Sequence, residues 1–380
     1  MTSLRARRIL ITVIVALSGI LLLHSFFRHG YDAMLALADL ARVDLPLADS
    51  RPNVLRQDIS YRANGRQHAA DLYAPEGGAR AGLVLVPGAA ANGRNDVRLV
   101  EFATTLTRSG FAVMVPDIQS LRQLEPSPDS TQEIGDAFAF LRDKKGLVSS
   151  SWLGISAFSI AVGPAVLAAL DPAISEQVKF LLLVGGYHDL VRTLTYLTTG
   201  YYEVDGQQQY RDPNAYGKWV YAMHNISRLQ DPSDRGALSA MVLRKLDNPE
   251  APVNDLQAQL SAAGGAVYAF ITNTDPAKVP ALMKNLPTAV LGDIAALNLA
   301  AYDLTGLKAE VILVHGRDDD IIPYTESISL AAALPPGQVK LFLLDGLHHV
   351  DRDFHGLDIW RTWRVMQILL TQDRDSFSGT

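Results

Sequence analysis

Ser151-Trp152-Leu153-Gly154-Ile155-Ser156-Ala157-Phe158-Ser159-Ile160-Ala161-Val162-Gly163-Pro164 changes character half-way along. Trp152 to Phe158 is apolar or small throughout and lacks the polar alternation of a half-exposed strand, so it predicts a strand covered on both faces. The following residues, through Leu170, predict a helix. The turn between the two holds two serines. Ser156 has Gly154 before it but the bulky Phe158 after it. Ser159 is flanked by Ala157 and Ala161, and a sharp strand-to-helix turn demands small residues on both sides. Proline separates them further. A helix starting just after Ser159 places Pro164 in its first turn, where an N–H has no partner anyway. A helix starting just after Ser156 would hold Pro164 in its interior, at a cost of about 3 kcal/mol. Ser159 is therefore the candidate nucleophile, with Ser156 as the alternative.

The same strand-then-helix reading extends in both directions. Upstream, AGLVLVP (81–87) precedes a helix near Asp96–Ser109, and FAVMVPD (111–117) precedes one near Thr131–Asp143. Downstream come VKFLLLVGG (178–186), AEVILVHG (309–316) with a helix near Thr325–Leu334, and VKLFLLDG (339–346) with a last helix near Leu357–Leu370. Apolar runs without alternation, separated by helices, predict a doubly wound, mostly parallel α/β sheet. Ahead of it, VLRQDISY and HAADLYAP flank an Asn64-Gly65 pair, a strong hairpin signal. The alternation stops near Asp189. The segment 190–308 reads as a mainly helical cap over the carboxyl edge of the sheet, where open α/β sheets bind ligands. Its aromatics, Tyr196, Tyr201, Tyr202, Tyr210, Tyr216, Trp219 and Tyr221, either line a substrate pocket or form the cap's own core. The core of the catalytic unit is then 54–189 together with 309–372.

Composition narrows the function. The 380 residues carry 34 Lys and Arg against 40 Asp and Glu, a net charge of −6, which argues against nucleic acid as a partner. There is no cysteine, so disulfides, thiol nucleophiles and thiolate metal sites are excluded. At the N-terminus Arg5, Arg7 and Arg8 precede an uncharged run from Ile9 to Phe27. As a helix that run is about 28 Å long, close to a hydrocarbon core. Residues 1–30 therefore read as a single membrane anchor, with a cleaved secretory signal as the alternative. The arginines predict a cytoplasmic N-terminus and a catalytic domain outside, periplasmic or extracellular, or a secreted form if the signal is removed. Residues 31–53 read as an amphipathic juxtamembrane helix over Tyr31–Val43 followed by a proline-bearing linker.

Acyl-transfer chemistry needs four parts: a hydroxyl on a sharp turn, N–H donors for an oxyanion, a histidine base, and a carboxylate to orient that base. The carboxylate candidates are in His315-Gly316-Arg317-Asp318-Asp319-Asp320-Ile321-Ile322-Pro323, directly after a predicted strand. Asp319, three residues past Gly316 and four before Pro323, is the candidate acid, and Asp189 at the end of the preceding strand is held in reserve. Asp318 and Asp320 read as solvated turn residues. The base is in Asp345-Gly346-Leu347-His348-His349-Val350, with His349 preferred and His348 as the alternative. No third ligand is spaced to make the His pair a metal site. Oxyanion donors are the N–H of Ile160 and one from Pro87-Gly88-Ala89-Ala90-Ala91-Asn92-Gly93, with Ala89 first and Ala90 as the alternate.

In these motifs, PGAA after the 81–87 run, AFSIAVGPAVLAAL at the turn, HGRDDDIIP and DGLHH, the chain resembles the α/β-hydrolase superfamily from about Val54 to Leu370. It departs from the common pattern where alanines replace the glycines around Ser159 and where Pro87 stands in place of a histidine. The resemblance implies an eight-stranded, mostly parallel sheet, no cofactor, and ester hydrolysis through an acyl-enzyme. The chain looks nearest to lid-bearing bacterial hydrolases of the esterase and dienelactone-hydrolase branches, acting on a small-molecule or lipid acyl substrate. A peptidase or acyltransferase using the same triad is an alternative function, as is a non-catalytic membrane-tethered binding protein.

Overall fold

A computed structural model describes residues 29–43, 51–125, 127–148, 151–348, 351–352 and 357–372, without the side chains of Tyr216, His224, His348, Asp351 and Arg352. The first element, α1 (29–40), is helical across most of the predicted juxtamembrane span. β1 (Val54–Ala63) and β2 (Arg66–Pro75) then form an antiparallel hairpin with Ala63 opposite Arg66. Asn64 and Gly65 turn it with φ of 46° and 76°, the paired left-handed conformation that two-residue hairpins require.

β3 (Ala81–Val86), α2 (Val97–Arg108), β4 (Phe111–Pro116), a short α3 (Gln119–Arg122), α4 (Asp129–Asp143), β5 (Leu153–Phe158), α5 (Val162–Leu170) and β6 (Val178–Val184) follow in alternation. An insertion comes next, and the sheet resumes with β9 (Glu310–Gly316), α13 (Thr325–Ala333), β10 (Val339–Leu344) and α14 (Leu357–Leu370). The eight strands lie in the order β1-β2-β4-β3-β5-β6-β9-β10. β2 is antiparallel to its neighbours, and the pairs from β4 through β10 are parallel.

Burial explains why the central strands are apolar without alternation. Val84, Ile155, Ala157, Leu181 and Leu313 face one layer, with α4, α5 and the insertion. Their strand neighbours Leu83, Leu85, Phe180, Leu182, Ile312 and Val314 face the other, with α1, α2 and α14. Each fully buried Leu or Phe contributes about 2 kcal/mol of apolar transfer, so both layers are needed to hold the sheet. α1 belongs to the second layer. Its Ala33 and Ala36 are buried there, Trp363 Nε1 on α14 donates to the Gly30 carbonyl at 2.8 Å, and Asp39 pairs with Arg51 and Arg108.

The insertion between β6 and β9 comprises α6 (Leu190–Thr199), β7 (Tyr201–Val204), β8 (Gln207–Tyr210), α7 (Ala215–Ile226), α8 (Pro232–Asp247), α9 (Asn254–Gln257), α10 (Ala262–Ile271), α11 (Val279–Lys284) and α12 (Thr288–Leu297). The β7–β8 hairpin departs from the mainly helical expectation. Its second strand, Gln207–Tyr210, is exposed throughout, so it carries no hydrophobic period to read. An Asp205-Gly206 pair with φ of 51° and 76° marks the turn. No helix among the described residues is long and apolar enough to cross a membrane. The apolar run 9–27 lies outside the described residues.

Candidate active site

Ser159 is the residue immediately after β5, and its φ is +54°. A non-glycine residue in that region carries about 1–3 kcal/mol of strain and persists only where its surroundings enforce it. A 3-10 turn over Ser159–Ala161 leads into α5, so Ile160 lies in the first turn of the helical segment and its N–H has no carbonyl one turn earlier within that segment to bond. Pro164 is the third residue of α5. Ser156 sits in a different environment. It lies within β5 opposite Leu85 and Leu182, is fully buried, and its Oγ makes no hydrogen bond among the described residues.

The loop after β3 lies against this turn. A Cβ on Gly88 would stand 3.2 Å from both the Phe158 carbonyl oxygen and the Ser159 Cβ, so the backbone at Gly88 approaches the serine as closely as it does because glycine has no side chain. Ala89, Ala90 and Ala91 continue along the wall of the same cavity as Ser159. The end of the loop is staked to the β1–β2 hairpin: Arg94 Nη1 donates to Asp71 Oδ1 and Asp58 Oδ1, both at 2.9 Å, and Arg56 donates to Asp71 Oδ2 at 2.7 Å and to Asn95 Oδ1 at 3.0 Å.

Three residues past the end of β9, Asp319 is buried, and its Oδ1 accepts from the N–H groups of Ile321 and Ile322 at 2.8 and 2.9 Å. One carboxylate oxygen is thus held by the backbone of its own loop. Asp318 is half-exposed and pairs with Arg211, while Asp320 Oδ2 accepts from Asn214 at 3.0 Å. Asp189 caps α6, accepting from the N–H groups of Val191 and Arg192 at 2.9 and 3.2 Å.

The loop after β10 crosses the end of β9. A Cβ on Gly316 would fall 1.6 Å from the Leu347 carbonyl oxygen, and Arg317 N–H donates to the Leu344 carbonyl at 2.7 Å. Asp358 on α14 pins the loop, accepting from the N–H groups of Asp345 and Gly346 at 3.0 and 2.7 Å. Two short strands follow, β11 (Leu347–His348) and β12 (Asp351–Arg352), with His348 opposite Asp351. His349 lies outside the described residues, as does the side chain of His348. The turn at Ser159, the 87–92 loop, Ile321, Ile322 and Leu347 all line one cavity of about 1130 Å³. Among the described residues, no cluster of three His, Cys, Asp or Glu is placed to hold a metal ion.

No family model matches the chain, and no curated protein matches it in sequence. Solved structures match over most of its length. A rice cell wall degrading esterase, LipA from Xanthomonas oryzae, superposes with a TM-score of 0.57 at 15% identity, over 86% of this chain and 94% of that one. A candidate hydrolase from Legionella pneumophila superposes with a TM-score of 0.53 at 11% identity, over 91% and 96%. The chain has the α/β-hydrolase fold. Relatives this distant share the architecture and speak to the fold alone.

Within this α/β-hydrolase fold, several side chains around Asp319 escape a sequence reading. His315 on β9 is fully buried, with Nε2 3.3 Å from Asp319 Oδ2 and 3.0 Å from the Ile322 carbonyl, and Nδ1 2.7 Å from Ser327 Oγ. Ring and acid loop thereby hold each other in place. The insertion is fastened to the same loop: Tyr196 Oη donates to the Asp319 carbonyl at 3.2 Å, Arg211 to the Arg317 carbonyl at 2.7 Å, and Asn214 N–H to the Asp320 carbonyl at 2.9 Å. Glu326 on α13 accepts from the N–H groups of His188 and Asp189 at 3.1 and 2.7 Å and pairs with Arg192, while burial pushes its carboxyl above the ordinary range. Of these, only His315 sits inside the HGRDDDIIP motif. The others are separated from their partners by more than a hundred residues, and no local pattern marks them.

Proposed function

We propose that this protein is a serine hydrolase that cleaves carboxylic esters, with Ser159 as nucleophile, His349 as base and Asp319 as the orienting acid. The observation that carries the reading is Ser159 itself: a left-handed serine at a strand-to-helix turn, packed against Gly88 and opening into a largely apolar cavity. A rigid turn of this kind presents a hydroxyl above a sheet edge with backbone amides beside it. Ser156, buried and part of the β5 ladder, is poorly suited to the role.

In the proposed reaction His349 takes the Ser159 proton as Oγ attacks the acyl carbonyl. The N–H groups of Ile160 and Ala89, with Ala90 as the alternate, receive the developing oxyanion. Asp319, with one oxygen already bound by the Ile321 and Ile322 amides, orients the imidazole and stabilises its charged form. The alcohol leaves with the proton from His349, and water then releases the acid by the same route in reverse. His348 is the alternate base. Side chains and backbone amides supply all of this chemistry, so the reading requires no cofactor. The apolar run 9–27 behind three arginines supports a membrane anchor with a cytoplasmic N-terminus and the catalytic domain outside.

Hydrolysis of p-nitrophenyl esters by the purified chain tests the reading. Ser159→Ala should reduce kcat/KM by about 10⁴-fold or more, with Ser156→Ala staying within a few-fold of the parent. Retention of full activity by Ser159→Ala would remove the nucleophile from this turn.

A further inference from the structure

The cavity above Ser159 exceeds the usual range for a drug-sized ligand, about 300–1,000 Å³, and its lining comes from both layers of the fold, so the part against each layer is one arm. It runs over the carboxyl edge of the sheet from one layer to the other. Leu194 on α6 and Leu297 on α12 line it on the insertion side, and Leu37 and Leu40 on α1, Phe102 on α2 and Met366 on α14 line it on the opposite side. A carbonyl placed at Ser159 therefore has an apolar compartment on each side.

The outer surface of the second arm is also apolar. Tyr31 and Met34 on α1, Val97 at the start of α2, and Leu357 and Trp360 at the start of α14 are between 39% and 69% exposed. They belong to the three helices that wall this arm, and Ile359, between Leu357 and Trp360, both lines the cavity and is exposed. α1 has apolar residues inward at Ala33 and Ala36 and outward at Tyr31 and Met34. Two of its charged neighbours turn back to the domain, Asp39 to Arg51 and Arg108, and Arg42 to Glu101. A helix apolar on both faces needs an apolar neighbour on each. Phe27, the end of the apolar run, is at most about 14 Å of extended chain from Tyr31. A bilayer is the neighbour that this position supplies.

Resting on the ester-hydrolase reading above, we propose that the rim formed by α1 and the starts of α2 and α14 lies on the bilayer surface. The substrate is then a long-chain lipid ester that enters the cavity between these helices, its acyl chain occupying one arm and the remainder of the lipid the other. The apolar rim gives the chain a continuous path from hydrocarbon to Ser159 without crossing water.

The full-length chain, reconstituted in phosphatidylcholine vesicles with brominated acyl chains, provides the test. Of the four tryptophans, Trp360 is the exposed one on this rim. Bromine quenching of the intrinsic fluorescence should be present in the parent and lost in Trp360→Phe. In a second arm, Leu357→Glu/Trp360→Glu should hydrolyse a short water-soluble ester at the parental rate and a long-chain ester presented in vesicles at least about tenfold more slowly. Equal quenching in Trp360→Phe and parent would overturn the proposal. So would rates on the two esters that are both unchanged or that fall together. Failure of the parent to cleave either ester would sink the hydrolase reading and the lipid substrate with it, whereas the quenching arm reports lipid contact by the rim independently.

Discussion

Ser159 and Gly88 form one unit at the scale of single residues. A side chain at position 88 would press on the serine's own Cβ, so Gly88→Val should displace the turn and lower kcat/KM by about 100-fold, with circular dichroism confirming that the domain still folds. Gly316 plays the corresponding role between the loops that follow β9 and β10. Gly316→Ala sets a methyl against the Leu347 carbonyl and should cost about 1–3 kcal/mol in urea denaturation, with activity falling alongside. Asp319→Asn keeps an oxygen for the Ile321 and Ile322 amides but no longer stabilises a charged imidazole. Its kcat should drop by about 10³–10⁴-fold with little change in Tm. The turn around Ser159 was legible because two local constraints, flanking alanines and Pro164, acted within a few residues. His315 was in view within the acid motif, yet its contacts with Ser327 and Ile322 depend on how the loop folds back, and spacing alone does not reveal that.

Among elements, the strands and helices of the sheet were readable because burial on both faces leaves an unbroken apolar run, and α14 coincides with the segment expected from Leu357 to Leu370. The β7–β8 hairpin was not, since exposed Gln and Tyr residues carry no period and only Asp205-Gly206 signals the turn. Long-range fasteners such as Tyr196 to the Asp319 carbonyl were invisible for the same reason: tertiary contacts select them. α4 supplies a pH prediction. Glu133 is pushed up to about 7, first by burial and then by the neighbouring Asp129. The native state therefore binds this proton more tightly than the unfolded chain. Its contribution to stability is complete below the ordinary carboxylate range and is lost as pH rises through about 7. Thermal melts from about pH 5 to about pH 8 should show a falling component in the parent that Glu133→Gln flattens; an identical pH profile in both would contradict the assignment.

For the whole molecule, α1 joins the segment that precedes it to the α/β domain, because it packs on α14 through Gly30 and Trp363 and walls part of the cavity. Deleting residues 1–28 should move the protein from carbonate-washed membranes to the soluble fraction while leaving α1 docked and soluble-ester hydrolysis intact; a full-length chain found in the soluble fraction would contradict the anchor. The net charge pointed away from nucleic acid, but composition carried no information on cavity shape, which arises from six helices of two layers meeting over one sheet edge. The most direct measurement is labelling of the full-length chain with a fluorophosphonate, followed by fragmentation of the modified peptide, which carries both serines. The adduct should map to Ser159 and disappear in Ser159→Ala. An adduct on Ser156, or none on either serine in folded protein, would contradict the account.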